Sequence, residues 1–451
     1  MDPGSREPAR PLATADVLRT WWPLAASWAL MGAELPAISA AVARLDEPVV
    51  HLAAFGGVVF PLALLVEAPI IMMLAASTAL CGDRPSFEKL YRFTTRSGAL
   101  LTAIHALLAF TPLYDLVVVR LLGPPAEVVE PGRTGLMIMT PWTWMIADRR
   151  FHQGVLIRFG HSRAVGLGTA LRLVSTGSAL FAGYLARLPG IAVAAGALSF
   201  GVTVEMLFAR VLVAPVLRER LPRRGAPSGA PVLTTSRLLS FYVPLALTPL
   251  LNLLAQPIGS ASISRMPDAV RSLAAWPVLG GLIFLTRSLG IAFNEVVVRH
   301  ADDPGARPVL ARFALVMGGG TVALLVLLAA TPLSTLWFER VAGVEPELAR
   351  LADSALWLGV VLPGMTVAHS YYQGFLVHAH RTRAVTESVG TFLVVSSAIL
   401  YAGVRAQRWN GLVVALLAFS AGSVTQALWL RLRERGPDAP PVRGRVDSEP
   451  A

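Results

Sequence analysis

Long apolar stretches alternate along this chain with short clusters of charge and proline, and the apolar stretches are the candidates for its regular elements. Twelve can be marked, near 18–43, 49–80, 97–119, 134–147, 164–186, 190–216, 238–263, 272–298, 313–337, 351–376, 384–404 and 410–430. A helix that crosses a bilayer needs about 20 mostly apolar residues. The pattern therefore predicts an all-α polytopic membrane protein with about twelve transmembrane helices.

The polar breaks carry a second pattern. Lys and Arg gather in the N-terminal segment, in the loops after spans 2, 4, 6, 8 and 10, and in the C-terminal tail, while the other loops hold few. Basic loops stay on the cytoplasmic side. Both termini are thus expected in the cytoplasm, and the protein is expected to be a multi-pass protein of the inner (plasma) membrane.

The two halves also resemble each other at an offset of 220 to 221 residues. Pro23-Leu24-Ala25, Pro36, Ser39 and Arg44 recur as Pro244-Leu245-Ala246, Pro257, Ser260 and Arg265. TPLYDLVVVRLLG (Thr111 to Gly123) recurs as TPLSTLWFERVAG (Thr331 to Gly343), and FHQGVLIRFGHSRAV (Phe151 to Val165) as YYQGFLVHAHRTRAV (Tyr371 to Val385). Three matches in one order at one offset predict two parallel six-helix repeats related by an axis along the membrane normal. The expected division is a cytoplasmic segment 1–17, an N-lobe 18–217, a cytoplasmic linker 218–237, a C-lobe 238–431 and a cytoplasmic tail 432–451.

Composition agrees with this reading and removes others. Of 451 residues, 54% are hydrophobic and 15% charged, against about a quarter charged in soluble domains. The net charge of +11 would suggest nucleic acid in a soluble protein. Here all but one of the 39 basic residues are arginine, the exception being Lys89, and their loop distribution accounts for the excess as topology. No nucleic-acid partner is expected. The single cysteine, Cys81, excludes an internal disulfide, a cysteine zinc site and an iron–sulfur cluster. The polar first sixteen residues lack the short apolar core of a cleavable leader, so the N-terminus is expected to stay on. No GxxxxGKS/T loop, HExxH or GxSxG is present, which speaks against an ATP-driven pump or a membrane hydrolase.

The run ISAAVARL followed by HLAAFG (Ile38 to Gly56), together with QGVL and QGFL before basic turns, resembles the multidrug/oligosaccharidyl-lipid/polysaccharide (MOP) exporter superfamily, with its MATE-type drug exporters and lipid-linked precursor flippases. Within it, SFYVPLAL (Ser240 to Leu247), Pro257-Ile258, Ser264-Arg265, Trp276-Pro277-Val278 and Glu295 look most like the progressive ankylosis protein group. The superfamily resemblance implies a V-shaped pair of six-helix lobes around a central cavity and ion-coupled or gradient-driven export. The ankylosis-like branch implies export of small polyanions such as pyrophosphate, ATP or citrate.

Ionisable groups at bilayer depth are costly and mark either a pathway or a paired structural charge. Arg287, Asn294 and Glu295 share one face of span 8 with Ile291; Arg287 suits carboxylate or phosphate oxygens, or else neutralises Glu67 or Glu295. Asn252 and Gln256 on span 7 are spaced to hydrogen-bond a substrate or to link helices. Arg172 in span 5 is a second cation for an anionic substrate. Glu34, two residues before Pro36, and Glu67, two before Pro69, are expected to couple or gate with Glu295 by binding H+ or Na+, or to reach water or pair with Arg. Arg210 is read as snorkelling to the interface, and Glu205, five residues earlier, as poorly spaced to pair with it. His105 and His369 read as satisfied structural residues. His152, His161, His378 and His380 read as solvated groups in basic turns without carboxylate neighbours, so no metal is expected.

The expectation is a monomeric secondary transporter, not an enzyme and without cofactor. It moves a small, anionic molecule by alternating access around spans 1, 2, 7 and 8. The alternatives are a proton- or sodium-coupled exporter of cationic drugs, a lipid-linked precursor flippase, and a non-transporting scaffold.

Overall fold

The computed structural model describes residues 11–221, 233–379 and 381–435. The expected linker 218–237 and tail 432–451 therefore lie partly outside the described residues, as does His380. Within the described residues the fold is a set of helical rods, in chain order α1 Thr14–Val42, α2 Pro48–Leu80, α3 Arg84–Phe110, α4 Ala126–Arg158, α5 Ser162–Leu185, α6 Gly190–Arg220, α7 Thr235–Ile263, α8 Ala269–His300, α9 Ala306–Ala330, α10 Pro346–His378, α11 Thr382–Ala406 and α12 Gly411–Arg435. Ten of them are long and apolar enough to cross a membrane, and α3 joins them when taken with the π-helical turn Asp115–Leu122, against which it bends by 71°. α4 corrects the sequence expectation of a span at 134–147. It runs unbroken from Ala126 to Arg158 because the charged run Asp148-Arg149-Arg150 continues the helix instead of ending it.

Four rods are interrupted. α1 breaks at Ala33, α2 at Met72, α8 at Ala292, and α10 at Val360 and Val361. The breaks in α1 and α10 fall just ahead of Pro36 and Pro363, and that in α2 follows Pro69, consistent with proline removing a donor from the helix ladder.

The repeat read from the sequence is present in the backbone. Left-handed residues recur at the same offset: Glu47 and Asp268, Gly123 and Gly343, Arg187 and Gln407. So do side-chain contacts. The Trp21 Nε1–H donates to the Leu289 carbonyl at 3.0 Å, and the Tyr242 hydroxyl donates to the Pro69 carbonyl. Trp21 also meets Phe313 edge-on, as Tyr242 meets Phe93. Each aromatic group thereby satisfies a carbonyl next to the break in α8 or α2, and each ties the start of one half to the other half. Val17, Trp21 and Leu24 of α1 accordingly pack among Phe293, Val297 and Phe313 of α8 and α9.

The offset changes from 221 to 220 within α2, and the structure supplies the reason. Phe55–Val59 is a π-helical turn, which accommodates one extra residue, while the equivalent stretch of α8 is regular helix. At this level α2 and α8 cross closely. A Cβ on Gly56 would lie 2.5 Å from the Pro277 ring, and Gly56 and Pro277 are each other's repeat equivalents, so their contact marks the two-fold axis.

Candidate functional site

The N-terminal half holds a buried polar network built from five helices. Glu34 sits directly after the break in α1, and its carboxylate pairs with the Arg172 guanidinium of α5 at 3.0 Å and accepts from the Thr176 hydroxyl at 3.1 Å. Glu205 of α6 is fully buried. It pairs with Arg149 of α4, accepts from Gln153 Nε2 at 2.9 Å and the Thr169 hydroxyl at 3.3 Å, and lies 3.7 Å from Arg172 Nε. Arg172 thus bridges Glu34 and Glu205. A guanidinium between two carboxylates is charge-balanced within the protein.

Glu67 of α2 is buried beside the network, and Arg149, Arg150 and Arg172 are the charges that act on it. Its Oε2 has no hydrogen-bond partner. Three glutamates and three arginines balance formally, yet one carboxylate oxygen and the Nε atoms of all three arginines are left without hydrogen bonds. A network incompletely satisfied at bilayer depth has room to exchange a proton or a small cation for an internal contact.

A neighbouring cluster corrects two sequence readings. Arg210, though part-exposed, has a fixed partner that the sequence reading did not give it: its Nε and Nη2 donate to both oxygens of Asp148 on α4, at 2.7 and 2.8 Å. His152 is buried and lies 3.1 Å from the same carboxylate, so it is neither solvated nor without an acidic neighbour. His378 likewise has a carboxylate neighbour, Asp302, at 2.9 Å. Among the described residues no group of His, Cys, Asp and Glu is arranged to hold a metal ion. His105 bonds Thr143 and the Leu136 carbonyl, and His369 the Ser423 carbonyl, as expected of satisfied core histidines.

The C-terminal half is built differently at equivalent positions. Arg287 on α8 is the repeat equivalent of Glu67, and His369, Thr425 and Phe392 stand where the first half has Arg149, Glu205 and Arg172. Arg287 Nε donates to the Thr366 hydroxyl of α10 at 2.8 Å, and Asn294 Nδ2 reaches the Ser370 carbonyl one turn along the same helix at 3.4 Å. Arg287 and Asn294 thus face α10 together. Among the described residues Arg287 has no carboxylate partner, in contrast to Arg149, Arg172 and Arg210. It pairs with neither Glu67 nor Glu295. Glu295 is exposed, Asn252 is exposed and Gln256 is half-buried, and the structure does not bring these three to Arg287 through any hydrogen bond.

No family model matches the chain, and no curated protein matches it. Solved structures do. An inward-facing multidrug resistance MATE family transporter of the MOP superfamily superposes with a TM-score of 0.70 over 94% of this chain and 98% of its own, at 16% identity. The lipid II flippase MurJ in an inward closed conformation superposes at 0.67, covering 92% of this chain and 87% of that one at 12% identity. A MOP superfamily transporter from Pyrococcus furiosus Vc1, described by a reverse polarity of its binding pocket, gives 0.56 over 93% and 95% at 14% identity. The fold is that of the MATE transporters. It is a multi-pass membrane fold, and it agrees with the superfamily-level resemblance without bearing on the ankylosis-like branch.

Proposed function

We propose that this protein is a secondary transporter of the plasma membrane that exports small organic or phosphate-containing anions, of the size of pyrophosphate, citrate or ATP. The two halves would act as lobes that expose a shared path first to the cytoplasm and then to the outside. Both termini lie in the cytoplasm in this reading, and the monomer is the working unit.

The observation that carries the substrate class is the asymmetry between equivalent positions. The first half pairs Arg172, Arg149 and Arg210 with Glu34, Glu205 and Asp148, whereas Arg287 bonds the Thr366 hydroxyl and has no carboxylate partner among the described residues. Arg287 is half-buried, and a partly desolvated guanidinium without a counter-ion is unfavourable, a cost that an anionic substrate held by its rigid fork of donors would offset. Thr366, Asn294 and Ser370 complete the polar lining, with Asn252 and Gln256 on α7 as further contacts. Glu67, with its unpartnered oxygen, and Glu34 at the break of α1 are the groups proposed to bind a coupling H+ or Na+; Glu295 would gate at the end of α8.

Two other readings share the fold. Export of cationic compounds would use Glu34 and Glu67 as substrate ligands, and the MurJ neighbour keeps open a lipid-linked precursor. They separate in one assay. Proteoliposomes holding the wild-type protein are loaded with radiolabelled pyrophosphate or citrate, or with a cationic dye, and efflux is followed under a proton or sodium gradient. Anion efflux above empty liposomes, unaffected by excess dye, is expected. Dye efflux without anion efflux would replace this reading with the cation exporter, and neither efflux together with lipid II translocation would replace it with the flippase.

A further inference from the structure

The repeat conserves two arginines that the proposed site does not use, Arg44 and Arg265, and it places both at the same task. Arg44 follows the end of α1. Its Nη1 donates to the Ala40 carbonyl of its own helix at 2.6 Å and to Ala342 at 3.3 Å, and its Nη2 to Arg340 at 2.8 Å and Val341 at 3.1 Å. Arg265 follows the end of α7. Its Nη1 donates to the Ala261 carbonyl of its own helix and to Leu122 at 2.8 Å, and its Nη2 to Leu121 at 2.6 Å and Arg120 at 3.4 Å. Carbonyls 340, 341 and 342 are the repeat equivalents of 120, 121 and 122. The contacts are the same in both directions across the two halves.

The carbonyl cradles are built for this purpose by their backbone. Each lies at the end of a π-helical turn, Asp115–Leu122 or Trp337–Val341, closed by a left-handed glycine, Gly123 at φ 66° or Gly343 at φ 71°. The last carbonyls of a helix have no partners within it and carry the negative end of its dipole. The ends of α1 and α7 carry the same partial charge, so bringing two such ends together is unfavourable unless a cation stands between them. A guanidinium, with five donors in a rigid plane, can bond both ends at once. Arg44 and Arg265 remain exposed to solvent, so parting the halves returns both the arginine and the carbonyls to water at small cost. That is the energetics of a reversible closure and not of a permanent core contact.

We infer that Arg44 and Arg265 are a two-fold pair of latches that hold the outer mouth of the protein shut by capping, across the lobe interface, the helix ends of the opposite half. Their end of the molecule is the one opposite the basic loops. Opening to the outside releases both latches together, because each half carries one arginine and one cradle. The inference rests on the two-lobe reading above, though not on its substrate.

The test measures the outer mouth directly. In a Cys81→Ala background, spin labels are placed on Asp46→Cys and Glu345→Cys, both exposed and on opposite halves beside the Arg44 latch, and their distance distribution is recorded by pulsed electron paramagnetic resonance in lipid nanodiscs. The wild-type latches are expected to give one dominant short distance. Arg44→Gln with Arg265→Gln is expected to raise the long-distance population several-fold, and each single substitution less. A second pair of variants guards against misfolding. Gly123→Ala and Gly343→Ala force the same left-handed strain, yet the added methyl would stand 2.5 Å from Arg44 Nη1 at Gly343 and 3.5 Å from Arg265 Nη2 at Gly123. Gly343→Ala should therefore open the mouth more. Distance distributions unchanged in the double arginine variant, or equal in the two glycine variants, would overturn the latch. The readout contains no substrate, so failure of anion efflux leaves it intact, and failure of the latch leaves anion efflux to be judged on its own.

Discussion

At the scale of single residues, the polar groups of the first half divide into those with partners and those without. Glu205 has four donors around it, and its loss leaves Arg149 without the carboxylate it is bonded to. Glu205→Leu should therefore cost about 3–5 kcal/mol, read as a large fall in thermal unfolding temperature in detergent. Arg149→Met together with Glu205→Leu should recover much of that loss, since both members of the pair are then replaced by apolar groups. Cys81 gives an independent check of packing at the end of α2. Burial pushes its thiol up to about 12, and its surface is fully covered, so a thiolate-specific alkylating reagent at pH 8 should leave it largely unmodified in the folded protein and modify it fully after denaturation. Little of this site was legible in the sequence. Glu34, Glu67 and Arg172 stand alone in apolar runs and could be marked. Asp148, Arg149 and Gln153 could not, because a charged run at the end of an apolar stretch has the same hydropathy whether the helix stops there or continues into the protein. The repeat could have pointed to Gln153 alone, which falls in the QG segment that recurs at Gln373, since Asp148 and Arg149 correspond to Ala368 and His369.

At the scale of elements, the repeat was the most informative feature in the chain, and it was legible because duplicated segments keep their spacing. The structure adds why the spacing slips by one residue. The π-helical turn Phe55–Val59 holds the additional residue in α2, so removing one residue there should restore the helical register of α8 and be tolerated. Deletion of Gly57 should thus give a monodisperse protein by fluorescence-detected size exclusion, while deletion of Leu64, beyond the turn, should shift every following side chain of α2 by about 100° around the helix and abolish folding. Equal behaviour of the two deletions would remove this explanation. The breaks in α1, α2 and α10 lie within three residues of prolines visible in the sequence, whereas the break at Ala292 has no proline beside it and is the repeat equivalent of Met72.

At the scale of the whole molecule, fold and substrate rest on different grounds. The fold is established by superposition along nearly the whole chain. The proposed orientation rests on the placement of arginine, and it predicts that a protease site inserted into the tail beyond Arg435 is cut in inside-out vesicles and protected in intact cells. The proposed substrate class rests on one half-buried guanidinium without a carboxylate partner among the described residues. The decisive measurement is efflux of pyrophosphate and citrate from proteoliposomes bearing wild-type protein, Arg287→Lys or Arg287→Ala at matched protein content. The account predicts measurable efflux for wild type, a clear reduction for lysine, which keeps the charge and loses the fork, and a fall of at least about tenfold for alanine, corresponding to one charge-assisted hydrogen bond of roughly 1.5–3 kcal/mol. Wild-type rates from the alanine variant would contradict it.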